Sequence, residues 1–110
     1  MALWIRVAAA ADLAPGEVRG FAVPPLSFEI MVAHARDGRF LAASSICPHE
    51  DVSLVDGDLQ GTVISCPGHA YEFDLVTGRC AHDASLRLRR FPVKVEGGGI
   101  YVQIDLHRQA

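Results

Sequence analysis

Two short motifs in the middle of the chain each combine one cysteine with one histidine. The first is Cys47-Pro48-His49 and the second is Cys66-Pro67-Gly68-His69, with sixteen residues between them. Each motif begins where an apolar, strand-like run ends, at Ile46 and at residues 63–65 respectively. Loops at strand ends can bring four ligands to one point while the β scaffold holds them rigidly. The two motifs therefore constrain the fold strongly, because their loops have to meet.

Apolar side chains alternate with other residues in short runs, which predicts half-buried β-strands. These runs cover residues 3–7, 28–32, 91–95 and 100–105. Gly97-Gly98-Gly99 predicts a hairpin turn between the last two runs, and Asp37-Gly38 and Thr77-Gly78 predict two further turns. No sustained helical period is present beyond one turn at residues 12–14. We therefore predict an all-β antiparallel sandwich or small barrel, with the strand-poor segment 46–61 as a functional insertion.

The length and charge of the chain exclude several classes of protein. A chain of 110 residues, half of them hydrophobic, fits a single domain, which we assign to residues 1–110. The net charge of -3 argues against nucleic-acid binding. No apolar run approaches the roughly 20 residues that cross a bilayer. Arg6 interrupts the apolar N-terminal stretch, so no secretory signal is predicted and we expect a cytoplasmic protein.

The donor set of the two motifs suits either zinc or an iron–sulfur cluster, since both bind sulfur and nitrogen ligands. The chain has three cysteines, an odd number that disfavours a disulfide scaffold. Structural zinc sites usually place two cysteines in one knuckle and two histidines in another, whereas here each motif is mixed. The mixed spacing favours a [2Fe–2S] cluster clamped between two loops, with zinc as the alternative.

The pattern C-P-H, sixteen residues, then C-P-G-H resembles the C-x-H…C-x-x-H signature of Rieske iron–sulfur proteins. The likeness extends to residues 56–57, 71–74, 77–78, 91–93 and 100–102. It implies a Rieske-type fold with a small cluster-binding subdomain of two loops at about residues 45–75. It also implies that Cys47 and Cys66 bind the inner iron of one [2Fe–2S] cluster, and that His49 and His69 bind the outer iron.

The chain departs from the high-potential members of that family. Those proteins carry an additional cysteine in each loop, where this chain has Val52 and Gly68, so no disulfide can join the loops. They also carry a serine and a tyrosine whose hydroxyls reach the cluster, and the matching residues here are Tyr71 and Phe73. Hydrogen bonds to cluster sulfur stabilise the reduced state, so their loss predicts a low potential.

Low-potential proteins of this kind resemble the ferredoxin components of bacterial oxygenase systems. The resemblance implies an electron carrier and not an enzyme, acting in pathways such as aromatic hydrocarbon catabolism. The expected partners are an NAD(P)H-dependent flavin reductase and a terminal oxygenase, either an aromatic-ring dioxygenase or a diiron monooxygenase. We expect a monomer. The alternatives are a Rieske accessory subunit of a larger redox enzyme and a zinc-binding interaction module.

Several other residues have simpler interpretations. Cys80 has no partner at motif spacing and is expected to be a buried structural residue. By analogy of position with the family, Leu54 is expected to help shield the cluster from water. The segment between the two motif cysteines is acidic and has no Lys or Arg; its acidic residues are Glu50, Asp51, Asp56 and Asp58. The remaining histidines are expected to be solvated or satisfied in the core; they are His34, His82 and His107.

Overall fold

The computed structural model describes residues 2–24, 26–48, 52–68 and 70–105. In this part of the chain the regular secondary structure is almost entirely β-strand. The strands are β1 (Ala2–Ala9), β2 (Val18–Ala22), β3 (Glu29–His34), β4 (Phe40–Ser44), β5 (Asp58–Gln60), β6 (Val63–Ser65), β7 (Glu72–Asp74), β8 (Arg90–Phe91), β9 (Val93–Glu96) and β10 (Gly99–Asp105). Two 3₁₀ turns occupy Ala10–Asp12 and Leu54–Asp56. The described residues contain no helix that is long and apolar enough to span a membrane.

The strands form three antiparallel sheets, which confirms the prediction of an antiparallel all-β fold. The terminal sheet has the order β1-β10-β9, the central sheet β2-β3-β4-β8, and the loop sheet β5-β6-β7. In the loop sheet, Ile64 of β6 pairs with Leu59 of β5 on one side and Phe73 of β7 on the other. Segment 46–61 is poor in strands as predicted, because its described residues contain a single short strand, β5. Only three residues long, it is stabilised by pairing with β6 and not by a marked apolar pattern of its own.

Two hydrophobic cores lie in this fold, and the central sheet contributes to both. The cysteine core is the buried set Met31, Ala33, Ala43, Cys47, Leu54, Ile64, Cys66, Phe73, Leu75, Cys80 and Leu88. The outer core is the buried set Ala8, Leu13, Val23, Ile30, Val32, Ala42, Phe91, Ile100, Val102 and Ile104. The cysteine core joins the central sheet to the loop sheet, and the outer core joins it to the terminal sheet.

Strand β3 is buried on both of its faces. Ile30 and Val32 enter the outer core, whereas Met31 and Ala33 enter the cysteine core. The strand predicted around residues 28–32 is therefore confirmed, but its description as half-buried is wrong. A strand with a core on each side needs apolar side chains at consecutive positions, because neighbouring side chains point to opposite faces.

The predicted hairpin between the last two strands is confirmed with a shorter turn. Gly97 and Gly98 form the turn with φ of 56° and 79°, and Gly99 already belongs to β10, where it pairs with Glu96. Two consecutive residues with positive φ are the requirement of a two-residue type I′ turn, which glycine meets without steric cost.

Candidate metal centre

The first motif lies in a loop that the backbone closes on itself. Ile46 forms an isolated antiparallel bridge with Ser53, and the Cys47 N–H donates to the Val52 carbonyl oxygen at 2.9 Å. The following 3₁₀ turn begins with the fully buried Leu54. Cys47 is thus held at the base of the loop, next to the central sheet, and Leu54 is buried in the same core as expected for a shielding residue.

The second motif is closed in the same way. The Cys66 N–H donates to the Tyr71 carbonyl oxygen at 2.7 Å, and the Ala70 N–H donates to the Cys66 carbonyl oxygen at 2.9 Å. In each loop the cysteine N–H therefore bonds to the carbonyl five residues further on. Ala70 has a φ of 59° and is the one non-glycine residue with positive φ in the described chain. A non-glycine residue in the left-handed conformation indicates local backbone strain, which is common in functional loops.

The two loops bring their cysteines into one core. Cys47 is 2% exposed and Cys66 is 1% exposed, and both belong to the cysteine core. Neither forms a disulfide. Their neighbours Pro48 and Pro67 are exposed, so in each loop the cysteine is buried while the proline beside it reaches solvent. Two buried thiols from two separate, equally closed loops fit the sulfur side of an iron–sulfur cluster.

The two predicted histidine ligands lie outside the described residues, and so do Glu50 and Asp51 of the acidic segment. Among the residues that are described, no three His, Cys, Asp or Glu side chains come together as a metal site. The structure thus brings together Cys47 and Cys66, while the assignment of His49 and His69 stays a prediction.

A close contact between backbones sets the spacing of the two loops. Gly57 ends the 3₁₀ turn of the first loop, and a methyl group on it would lie 2.1 Å from the Ser65 carbonyl oxygen and 3.0 Å from that of Leu54. Ser65 directly precedes Cys66. The Asp56-Gly57 pair belongs to the family resemblance, but its sequence gives no sign of this contact, because the contact depends on how the two loops pack.

The residues that distinguish high-potential members lie close to the second loop. Phe73 is fully buried in the cysteine core and offers no hydroxyl. Tyr71 is half-buried, and its ring lies 5.3 Å from that of the exposed His82. The Tyr71 carbonyl oxygen accepts the hydrogen bond from the Cys66 N–H.

The remaining candidate residues have structural roles where they are described. Cys80 is buried in the cysteine core, in agreement with its expected role. His34 Nδ1 lies 2.8 Å from the Leu13 carbonyl oxygen, and His82 Nε2 lies 3.6 Å from a Glu72 carboxylate oxygen. His107 lies outside the described residues.

The acidic segment between the two motif cysteines has two acidic residues among those that the structure describes. Asp56 and Asp58 are both exposed. Elsewhere in the chain, the side-chain hydrogen bond from Arg39 lowers the pKa of Asp37. That exposed pair lies in the turn between β3 and β4 and has no part in the candidate centre.

Comparison with known proteins gives a consistent result. The chain matches the family model of the Rieske [2Fe-2S] domain over residues 3–92. It is 38% identical over 100 residues to the ferredoxin component of the alkene monooxygenase system of Xanthobacter autotrophicus, covering 90% of this chain and 80% of the relative. It is also 38% identical over 98 residues to the ferredoxin component of the p-cumate 2,3-dioxygenase system of Pseudomonas putida, covering 87% and 81% respectively.

One solved structure is similar across nearly the whole chain. It is a chain in the complex of reduced oxygenase and oxidised ferredoxin of carbazole 1,9a-dioxygenase, with a TM-score of 0.80 and 34% identity. The match covers 90% of this chain and 91% of that one.

The chain belongs to the Rieske [2Fe-2S] family. Within that family it is a ferredoxin, which is an electron carrier and not itself an enzyme, and it is similar to the ferredoxin components of oxygenase systems. Its cofactor is one Rieske-type [2Fe–2S] cluster. The predictions of family, carrier role and cofactor are therefore confirmed, and the zinc-binding alternative finds no support.

Proposed function

We propose that this ferredoxin passes single electrons from an NAD(P)H-dependent flavin reductase to a terminal oxygenase, through a cluster bound by Cys47, His49, Cys66 and His69. The observation that carries the proposal is the pair of buried cysteines at the bases of two equally closed loops. The cluster-binding subdomain is the segment of about residues 45–75, and residues 1–110 form one domain.

The bound cluster supplies reversible one-electron chemistry. The chain's own residues determine the surroundings of the cluster and its access to a partner. Cys47 and Cys66 provide their thiolate ligands from inside an apolar core that excludes water, and the fully buried Leu54 belongs to the same core. His49 follows the exposed Pro48 in the sequence, and His69 follows the exposed Gly68. We therefore assign both histidines to the iron that faces the partner. A partner can then approach the loop tips, where the distance for electron transfer is short.

The named relatives support an oxygenase as the acceptor. One is a component of a monooxygenase system and the other of a dioxygenase system, and a solved complex joins an oxygenase with an oxidised ferredoxin. We propose a ring dioxygenase or a diiron monooxygenase of aromatic hydrocarbon catabolism as the partner. A flavin reductase is proposed as the donor, because flavin splits the hydride of NAD(P)H into single electrons. This points to the cytoplasm, where NAD(P)H is available, and to a monomer that can change partners.

We further propose a low midpoint potential. Phe73 is buried in the same core as the two cysteines and has no hydroxyl, so it cannot donate to sulfur where high-potential members carry a tyrosine. Fewer donors to sulfur leave the reduced cluster less stabilised. A midpoint at the upper end of the Rieske range, which reaches roughly +300 mV, would contradict this part of the proposal.

Metal analysis and EPR spectroscopy test the ligand set. The purified protein should contain two irons and two acid-labile sulfides per chain, and its reduced form should give a rhombic signal with an average g-value below that of all-cysteine clusters. His49→Ala and His69→Ala should each abolish that signal. His82→Ala is the matched control, since His82 is exposed near the second loop but outside both motifs. A zinc-only protein, or a signal that survives both ligand changes, would show the assignment to be wrong.

A further inference from the structure

The hydroxyl of Ser45 is buried without a partner. Ser45 precedes Cys47 by two residues and is fully buried. Among the described residues, its Oγ is the one buried side-chain oxygen or nitrogen that makes no hydrogen bond. Its backbone is satisfied, because its N–H donates to the Glu29 carbonyl at 3.0 Å and its carbonyl accepts from the Leu54 N–H at 2.6 Å. An unsatisfied buried hydroxyl costs about 1–3 kcal/mol, so this one needs a partner from outside the chain.

The register of the central sheet shows which core this hydroxyl enters. Ser44 pairs with Ile30 across the antiparallel ladder, and directly opposed residues point to the same face. Ile30 belongs to the outer core. Because successive side chains alternate between faces, Ser45 points to the opposite side, toward the cysteine core. Ala43 and Cys47, two residues before and after Ser45, both belong to that core.

We propose that the Ser45 hydroxyl donates a hydrogen bond to an inorganic sulfide of the cluster and makes the cluster easier to reduce. This inference rests on the proposed function, in which Cys47 is a cluster ligand. The cluster sulfurs and the cysteine ligands become more negative when an electron is added, so a donor nearby stabilises the reduced state. Ser45 is thus a tuning residue that acts on the ligand site from the strand before the first loop. It provides a hydroxyl donor from a different direction than positions 71 and 73.

Neighbouring serines provide a matched pair of variants. Ser45→Ala removes the buried hydroxyl, whereas Ser44→Ala removes one that is half-buried on the other face and accepts from the Ile46 N–H at 3.4 Å. In the holoprotein, Ser45→Ala should lower the equilibrium constant for reduction about tenfold, which is about 59 mV for a one-electron couple. Ser44→Ala should leave the midpoint unchanged.

Pulsed EPR in D2O adds a readout that a purely structural role would not change. The reduced wild-type protein should show an exchangeable deuteron coupled to the cluster that is missing in Ser45→Ala and present in Ser44→Ala. Ser45→Thr, which keeps the hydroxyl, should retain this coupling and most of the midpoint. Ser45→Gly removes the hydroxyl in a second way and should reproduce the fall in midpoint if the alanine variant folds poorly.

The outcomes separate this inference from the proposed function. A wild-type protein with no [2Fe–2S] cluster would overturn both. An intact rhombic signal in wild type and Ser45→Ala, with equal midpoints and equal deuteron couplings, would overturn only the inference. In that case the partner of the hydroxyl is a buried water molecule and not cluster sulfur.

Discussion

Replacing Gly57 by alanine should separate the two cysteine loops. Gly57 has φ and ψ of -77° and 173°, which any residue can adopt, so the substitution introduces no backbone strain of its own. The effect comes from space. The added methyl group would lie 2.1 Å from the carbonyl oxygen of Ser65, the residue before Cys66.

The contact geometry gives the size of the effect. The methyl group and the Ser65 carbonyl have to move apart by about 1.3 Å to reach the 3.4 Å at which ordinary contact begins. Both opposing groups are backbone, including the Leu54 carbonyl at 3.0 Å, so no side chain can swing away. Overpacking of this kind costs about 1–3 kcal/mol, and we expect the upper half of that range. A cost of 2–3 kcal/mol raises the population of separated loops roughly 30- to 150-fold.

Gly20→Ala is the matched control for this prediction. A methyl group on Gly20 would lie 2.5 Å from the carboxylate end of Glu29, which is a flexible side chain that can turn away. We expect a change below about 1 kcal/mol there. The assay is the rate at which an iron chelator bleaches the visible absorbance of the holoprotein, together with the thermal midpoint from circular dichroism. If Gly57→Ala and Gly20→Ala bleach equally fast, the reasoning from the loop contact is wrong.

Three further changes test other parts of the molecule. Ala70→Gly should raise the thermal midpoint of the holoprotein, because it relieves about 1 kcal/mol of left-handed strain; a lower midpoint would contradict the strain. Cys80→Ala should lower the thermal midpoint slightly and leave the iron content and EPR signal unchanged, whereas loss of iron would make Cys80 a ligand. Reversing Asp56 and Asp58 to Lys should slow reduction by the reductase roughly tenfold at low ionic strength, with the difference vanishing in 1 M salt; equal rates for this variant and for a Glu96→Lys control would place docking elsewhere.

The fold was predictable from the sequence where the signal was local. Alternation identified β1, β9 and β10, and consecutive glycines identified the turn at Gly97-Gly98, because both signals act within a few residues. The prediction that β3 is half-buried was wrong, because residues 30–33 are all apolar and do not alternate with polar residues. Such a run indicates a strand covered on both faces. Strand β5 gave no usable signal, since three residues are too few for a period and its partner β6 supplies the pairing.

For the site, the motifs predicted two cysteines, Cys47 and Cys66, that the structure brings into one core, while the histidine ligands stay a prediction. The close contact at Gly57 and the buried hydroxyl of Ser45 were missed, because neither can be read from neighbouring residues. The first depends on a backbone of another loop, and the second on which face of the central sheet a serine occupies. Motifs specify the groups that bind, whereas the packing of elements distant in sequence specifies their spacing and surroundings.

The double burial of β3 also bears on electron transfer. Adjacent side chains of this strand enter different cores, so Met31 in the cysteine core cannot shift without moving Ile30 in the outer core. Close-packed interiors resist such displacement. The base of the first loop is tied to this strand, because the Ser45 N–H bonds to the Glu29 carbonyl at the start of β3. Cys47 therefore rests on a scaffold that the outer core holds in place, and a site that moves little when its charge changes is the arrangement that a one-electron carrier requires.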